Sequence, residues 1–142
     1  MQRRDLDELR GTTWTGNAEL WLDPLGNDVQ QSACSLRFDA EGARYTWQHE
    51  GKTHEGVFAL GNDGATWSDS WHQVKPVKCT ALKDTWGLFA LHYTYGAGEG
   101  PDWGWRTVLS RRPGGELVLQ MTNIAPWGEE ARAVRMVLTR QA

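Results

Sequence analysis

The run ARYTWQHEGKTHEGVFALGNDGATWSDSWH, residues 43–72, decides the fold. Two turn signals divide it. Glu50–Gly51 reads as a two-residue hairpin turn that pairs His49 with Lys52. Pairing then continues through Trp47–His54, Tyr45–Gly56 and Ala43–Phe58. Gly61–Asn62–Asp63–Gly64 is a second turn, rich in residues that tolerate tight backbone. It pairs Leu60 with Ala65, Phe58 with Trp67, Gly56 with Asp69 and His54 with Trp71. Side chains alternate across a strand, so the two registers can be checked against each other. They agree. Tyr45, Trp47, His54, Phe58, Trp67, Asp69 and Trp71 share one face, and Arg44, Thr46, Gln48, Thr53, Glu55 and Val57 share the other. A slip of one residue would bury Arg44 and Glu55. The aromatic face is the interior.

The segment from Ala65 to His72 is the unusual part. Read as one strand, it sets Asp69 between two indoles on one face. Thr66, Ser68, Ser70 and His72 lie on the other face.

Short alternating runs cut by Gly, Asn, Asp and Pro fill the rest of the chain. They predict ten strands, near 12–22, 30–39, 43–50, 52–60, 65–72, 77–83, 86–95, 103–111, 116–124 and 130–140. No segment is long enough for a crossover helix, so the strands are antiparallel. A meander of this length closes most economically into an up-and-down barrel, which leaves no raw edges. A short helix over 3–10, with Leu6 and Leu9 on one side, must dock on the barrel to be stable. The expected architecture is a single all-β domain over 1–142, with barrel residues 12–140.

The 142 residues carry a net charge of −3, which gives no reason to expect nucleic acid or an anionic membrane as partner. No apolar run approaches a membrane span, and the N-terminus lacks the apolar centre of a signal peptide. A cytoplasmic protein is expected, with Cys34 and Cys79 as reduced, buried thiols. Nine tryptophans are the compositional outlier. Indoles serve equally as core and as walls for a flat ligand.

Later registers rest on weaker turns. A hairpin around Asp84–Thr85 pairs Lys83 with Trp86 and turns Val77, Cys79, Ala81, Leu88, Ala90 and His92 inward. Phe89, Leu91 and Tyr93 would then form an outer stripe that suits a homodimer contact. A register off by one would reverse this. The Pro113–Gly114–Gly115 loop groups Trp103, Trp105, Thr107, Leu109, Leu117, Leu119, Met121 and Asn123 inside. Val134, Met136, Leu138 and Arg140 share a face of the last strand.

Strand direction gathers His49, His54, His72 and His92 towards the end where the first strand finishes. His54 and His92 are expected to point inward, and His49 and His72 to be solvated on the rim. Gly11, Trp14 and Arg140 fall at the opposite end. First and last strands meet on closure, so the Arg140 guanidinium is expected over the Trp14 indole.

The Gly11–Thr12–Thr13–Trp14 start with an arginine on the last strand resembles the calycin superfamily of lipocalins and fatty-acid-binding proteins. There, the resemblance implies, Gly11, Trp14 and Arg140 plug the closed end of a barrel. Thr13–Trp14–Thr15–Gly16 resembles the opening of small bacterial lipocalin-like proteins, and Trp67–Ser68–Asp69–Ser70–Trp71–His72 resembles a strand of a bacterial lipocalin-like domain family of unknown function, which supplies no activity to carry over. The Arg-x-Tyr carboxylate clamp of fatty-acid-binding proteins is missing here, and no histidine follows His92 to resemble the haem ligand of nitrobindin-like barrels.

The candidate ligand-binding set is Tyr45, Trp47, His54, Phe58, Trp67, Asp69, Trp71, His92, Trp105, Met121 and Asn123. Asp69 with His54 as diagonal neighbour would make a general base or a polar anchor. A buried Asp that merely accepts hydrogen bonds is the plainer alternative. No cofactor or metal is expected, because HxH, HExxH and CxxC spacings are missing. His54, His92 and Asp69 could still converge as two imidazoles and a carboxylate. Gly16, Ala18, Gly56 and Ala90 would leave a void against the indoles. Three functions fit, in this order: a binding barrel for a small, largely apolar or aromatic molecule; an isomerase, cyclase or decarboxylase using Asp69 and His54; and a dimeric interaction module with a filled core. The glycine-rich loop 96–102 would serve as a flap or a long turn.

Overall fold

The computed structural model describes residues 3–23, 27–61, 63–82, 87–96 and 98–141. Ten strands follow one another around a closed antiparallel barrel: β1 (Thr13–Trp21), β2 (Val29–Phe38), β3 (Gly42–His49), β4 (Lys52–Leu60), β5 (Gly64–Asp69), β6 (Gln73–Ala81), β7 (Phe89–Tyr95), β8 (Trp103–Arg111), β9 (Leu117–Ile124) and β10 (Glu130–Arg140). Every strand pairs with its sequence neighbours, and β1 pairs with β10 to close the ring. The expected all-β up-and-down barrel is what forms.

The hairpins of residues 43–69 have the predicted register. His49 faces Lys52, Tyr45 faces Gly56, and Phe58 faces Trp67. The first turn works because Glu50 (φ 52°) and Gly51 (φ 76°) both take the left-handed backbone that a tight hairpin needs. The Arg111–Leu117 pairing likewise matches the Pro113–Gly115 loop.

Helix α1 (Arg3–Leu9) caps the end where β1 begins, with Leu6 and Leu9 buried in the common core. Gly11 (φ 81°) turns the chain from helix to β1, and its N–H donates to the Phe38 carbonyl at 2.9 Å. Trp14 faces Arg140 across the closing ladder as expected. The guanidinium does not stack there: Arg140 is exposed, and the Trp14 indole N–H donates instead to Thr12 Oγ1 at 2.9 Å. Arg132 over Trp21, at the opposite end, is the cation–π contact found among the described residues.

Two of the strand predictions also fail. The strand expected over 65–72 ends at Asp69. The Asp69 carboxylate accepts the backbone N–H groups of Trp71 (2.8 Å) and His72 (2.9 Å), which reverses the chain so that Asp69 pairs with Gln73. Strand β6 therefore starts four residues before the expected position, and the His54–Trp71 pair does not form.

The second failure is the β6–β7 register. The expected Lys83–Trp86 turn lies outside the described residues, but Thr80 faces His92 and Ala81 faces Leu91. That is three residues from the expected pairing, an odd number, so the faces of β7 are exchanged. Phe89 and Leu91 are core, Tyr93 packs beneath them, and the outer stripe that suggested a homodimer does not exist. His92 is paired with Arg106 and Thr80 on the outer face rather than pointing inward.

Aromatic rings fill the barrel. Phe58 on β4 meets Phe89 on β7 at 5.4 Å between centroids, and Trp67 on β5 stacks on Trp105 of β8 at 5.5 Å. These contacts join strands that are three apart, so they span the interior. Gly56 does not leave a void, because the Tyr45 ring occupies that space.

Candidate functional site

Asp69 is the polar centre of the aromatic interior. It lies at the last position of β5, beside Gly56 of β4, and two strands from Tyr45. Because Gly56 has no side chain, the Tyr45 ring passes over it and donates its hydroxyl to Asp69 Oδ2 at 2.6 Å. The Trp47 indole N–H donates to the same oxygen at 3.3 Å, and Trp67 donates to the Tyr45 hydroxyl at 2.9 Å. Oδ1 takes the Trp71 and His72 amides.

The imidazole beside Asp69 is that of His72, which the early end of β5 turns inward. Its Nδ1 lies 3.3 Å from Asp69 Oδ1, within ion-pair range but without the alignment of a hydrogen bond. His54 is elsewhere: it stacks on Trp47 at 4.6 Å and contacts Ser70 Oγ at 3.1 Å. The Asp69–His54 pair is thus replaced by Asp69–His72. His49 and His72 are not solvated rim residues either, since their side chains are only 11% and 10% exposed.

Burial pushes the Asp69 carboxyl up, but His72, the Tyr45 hydroxyl and the His72 amide outweigh it and hold it at about 2. Burial and the neighbouring carboxylate push the Tyr45 phenol well above its ordinary value. A carboxylate this acidic, with both oxygens engaged, is a weak proton acceptor and has the geometry of a structural anchor. Tyr45, Trp47, Phe58, Trp67 and Met121 are likewise fully enclosed. No group of three or more metal-ligating side chains converges among the described residues.

Open space begins above this layer. A pocket of about 220 Å³ lies at the lip of the barrel, lined by Trp21, Leu22, Asp23, Trp71, His72, Trp105, Asn123, Ala131, Arg132 and Ala133. Trp71, Trp105 and Asn123 are the members that sequence reasoning found. Trp71 is 42% exposed and stands edge-on to His72 at 4.7 Å, which in turn lies 5.3 Å from Trp105. Trp105 is 7% exposed and its indole N–H has no hydrogen-bond partner; His72 Nδ1 is in the same condition. Asn123 Oδ1 accepts from the Tyr95 hydroxyl.

Sequence reasoning missed Trp21, His72 and Arg132. A bulge in β10 between Arg132 and Val134 shifts the register there, and the Arg132 guanidinium lies 4.6 Å from the Trp21 ring centre. Larger openings exist, about 580 Å³ beside Trp14 and Arg140, about 370 Å³ over the outer faces of β2–β4 and about 270 Å³ along Ala59, Thr66 and Lys78. None is lined by a buried polar atom lacking a partner. The lip pocket is therefore the better candidate site. Comparisons with protein-family models, curated proteins and solved structures find no match to this chain.

Proposed function

We propose that the protein is a small-molecule-binding barrel of calycin type, which takes a flat, largely aromatic ligand at its lip rather than down its axis. The observation that carries this reading is the Trp105 indole N–H, buried without a partner beside an open pocket walled by Trp21, Trp71 and His72. Buried donors are normally satisfied, and an orphaned one on a residue that also walls a pocket points to an acceptor supplied from outside the chain. The volume suits this class: about 220 Å³ exceeds the roughly 150 Å³ of an engineered apolar cavity that holds benzene. The closed antiparallel meander and the helix at one end support the calycin reading.

Native mass spectrometry of the purified protein tests for a retained molecule. Titration of a library of flat aromatic compounds, followed by tryptophan fluorescence, tests the place. Binding should weaken about tenfold in Trp71→Ala, which removes a wall of the pocket, with the melting temperature little changed. Undiminished binding in Trp71→Ala and in Trp105→Phe together would put the ligand somewhere else.

A further inference from the structure

The polar groups around the lip pocket are unequal in sign. Arg132 makes no ion pair among the described residues, while its neighbours on the outer wall do: Arg106 binds Glu130 and Arg135 binds Glu19. The guanidinium is held against the Trp21 face, which orients it without neutralising it. The Trp105 indole N–H lacks a hydrogen-bond partner, and His72 Nδ1 meets the Asp69 carboxylate only at ion-pair range. The Asn123 amide oxygen is taken by Tyr95, which leaves its NH2 to donate.

The acids nearby are engaged. Asp23 accepts the backbone N–H groups of Asn27 (2.9 Å) and Asp28 (2.7 Å). Asp69 lies below the pocket with both oxygens bonded. The pocket thus offers aromatic walls, an unpaired cation and donors, and its carboxylates are already in use. A cationic ligand would meet the unpaired Arg132, and the one carboxylate of the lining, Asp23, already directs an oxygen to backbone N–H groups.

From this juxtaposition we infer that the ligand is an aromatic anion, a planar carboxylate of one or two rings, with Arg132 as its counter-ion and the indoles as its walls. The inference rests on the binding role proposed above. The β10 bulge belongs to it, since the shifted register accompanies the placement of Arg132 over Trp21.

The test uses three probes of one shape: 2-naphthoate, 2-naphthamide and 2-naphthylmethylammonium, titrated calorimetrically in low-salt buffer. The acid should bind about five- to tenfold tighter than the amide, because a charged acceptor gains more from the same donors. The ammonium should bind weakest, and added salt should shrink the difference. Arg132→Gln should weaken the acid far more than the amide and so erase the preference between them; Arg132→Lys should restore part of it. Trp71→Ala should weaken acid and amide alike. Equal binding of acid and amide by the unaltered protein overturns the anion inference and leaves the lip pocket standing. So does a preference that survives Arg132→Gln. Failure of all three probes to bind overturns both.

Discussion

At the scale of single residues, Gly56 and Tyr45 are one device. A Cβ on Gly56 would stand 1.9 Å from Tyr45 Cζ, and Tyr45 is only 1% exposed, so the ring has nowhere to go. Gly56→Ala should cost about 2–3 kcal/mol of unfolding free energy in urea, a typical overpacking penalty. Tyr45→Phe should cost about 1–3 kcal/mol by stranding the Trp67 N–H and one Asp69 lone pair. Combined with Tyr45→Leu, Gly56→Ala should become far milder, a coupling that a double-mutant cycle measures. Strict additivity would mean that the glycine is needed for some other reason. The Asp69–Tyr45 adjacency was legible in the sequence, since both residues pair with Gly56. His72 was not, because nothing in strand alternation says that Asp69 will end its own strand. The Asp–Ser dipeptide was the available signal: short polar side chains that bond the backbone two or three residues on favour turns.

Among elements, β3–β5 and β7 show when alternation specifies register and when it does not. Strands β3 and β4 bear charges on one face and aromatics on the other, so one register is far cheaper than its neighbours. In Leu88–Phe89–Ala90–Leu91 all four residues are buried, so period two carries no sign. Phe89→Ala separates the two arrangements. With Phe89 inside, against Phe58, the substitution should cost about 3–5 kcal/mol. An outer stripe would predict no loss of stability and a change of oligomeric state, which sedimentation would report. The β10 bulge was hidden for a different reason. Arg–Ala–Val reads as ordinary alternation, and Trp21 and Arg132 are separated by most of the chain, so their contact exists only once the barrel closes.

Over the whole molecule the two ends of the barrel differ. One end is covered by α1. The large hydrophobic side chains exposed among the described residues, Val29, Trp71, Val74 and Trp127, all belong to the other end. Asp69 lies near that open end and ties β3 and β5 together, so its charge bears on global stability. Its folded pKa of about 2 is below the ordinary 3.8. A depressed carboxylate adds stability fully above its unfolded pKa, and that contribution is lost as pH falls from about 4 to 2. The amount is about 2 kcal/mol at 1.36 kcal/mol per unit. Unfolding free energies across pH 2–6 should therefore fall less steeply for Asp69→Asn than for the unaltered chain. Parallel curves would assign the acid sensitivity to other carboxylates. No helix among the described residues is long and apolar enough to cross a membrane.

The stacked pair Trp67–Trp105, with ring planes 17° apart, has an optical consequence. Two indoles this close couple their electronic excitations, so the folded barrel should show an exciton couplet in its circular dichroism, its size set by the in-plane skew of the two transition moments. The Trp67 partner is sealed in the core, while Trp105 borders the lip pocket. A molecule arriving there changes the environment of one oscillator and not the other. The chain thus carries a built-in chromophore whose couplet should shift on occupancy and vanish on unfolding, allowing both to be followed without a label.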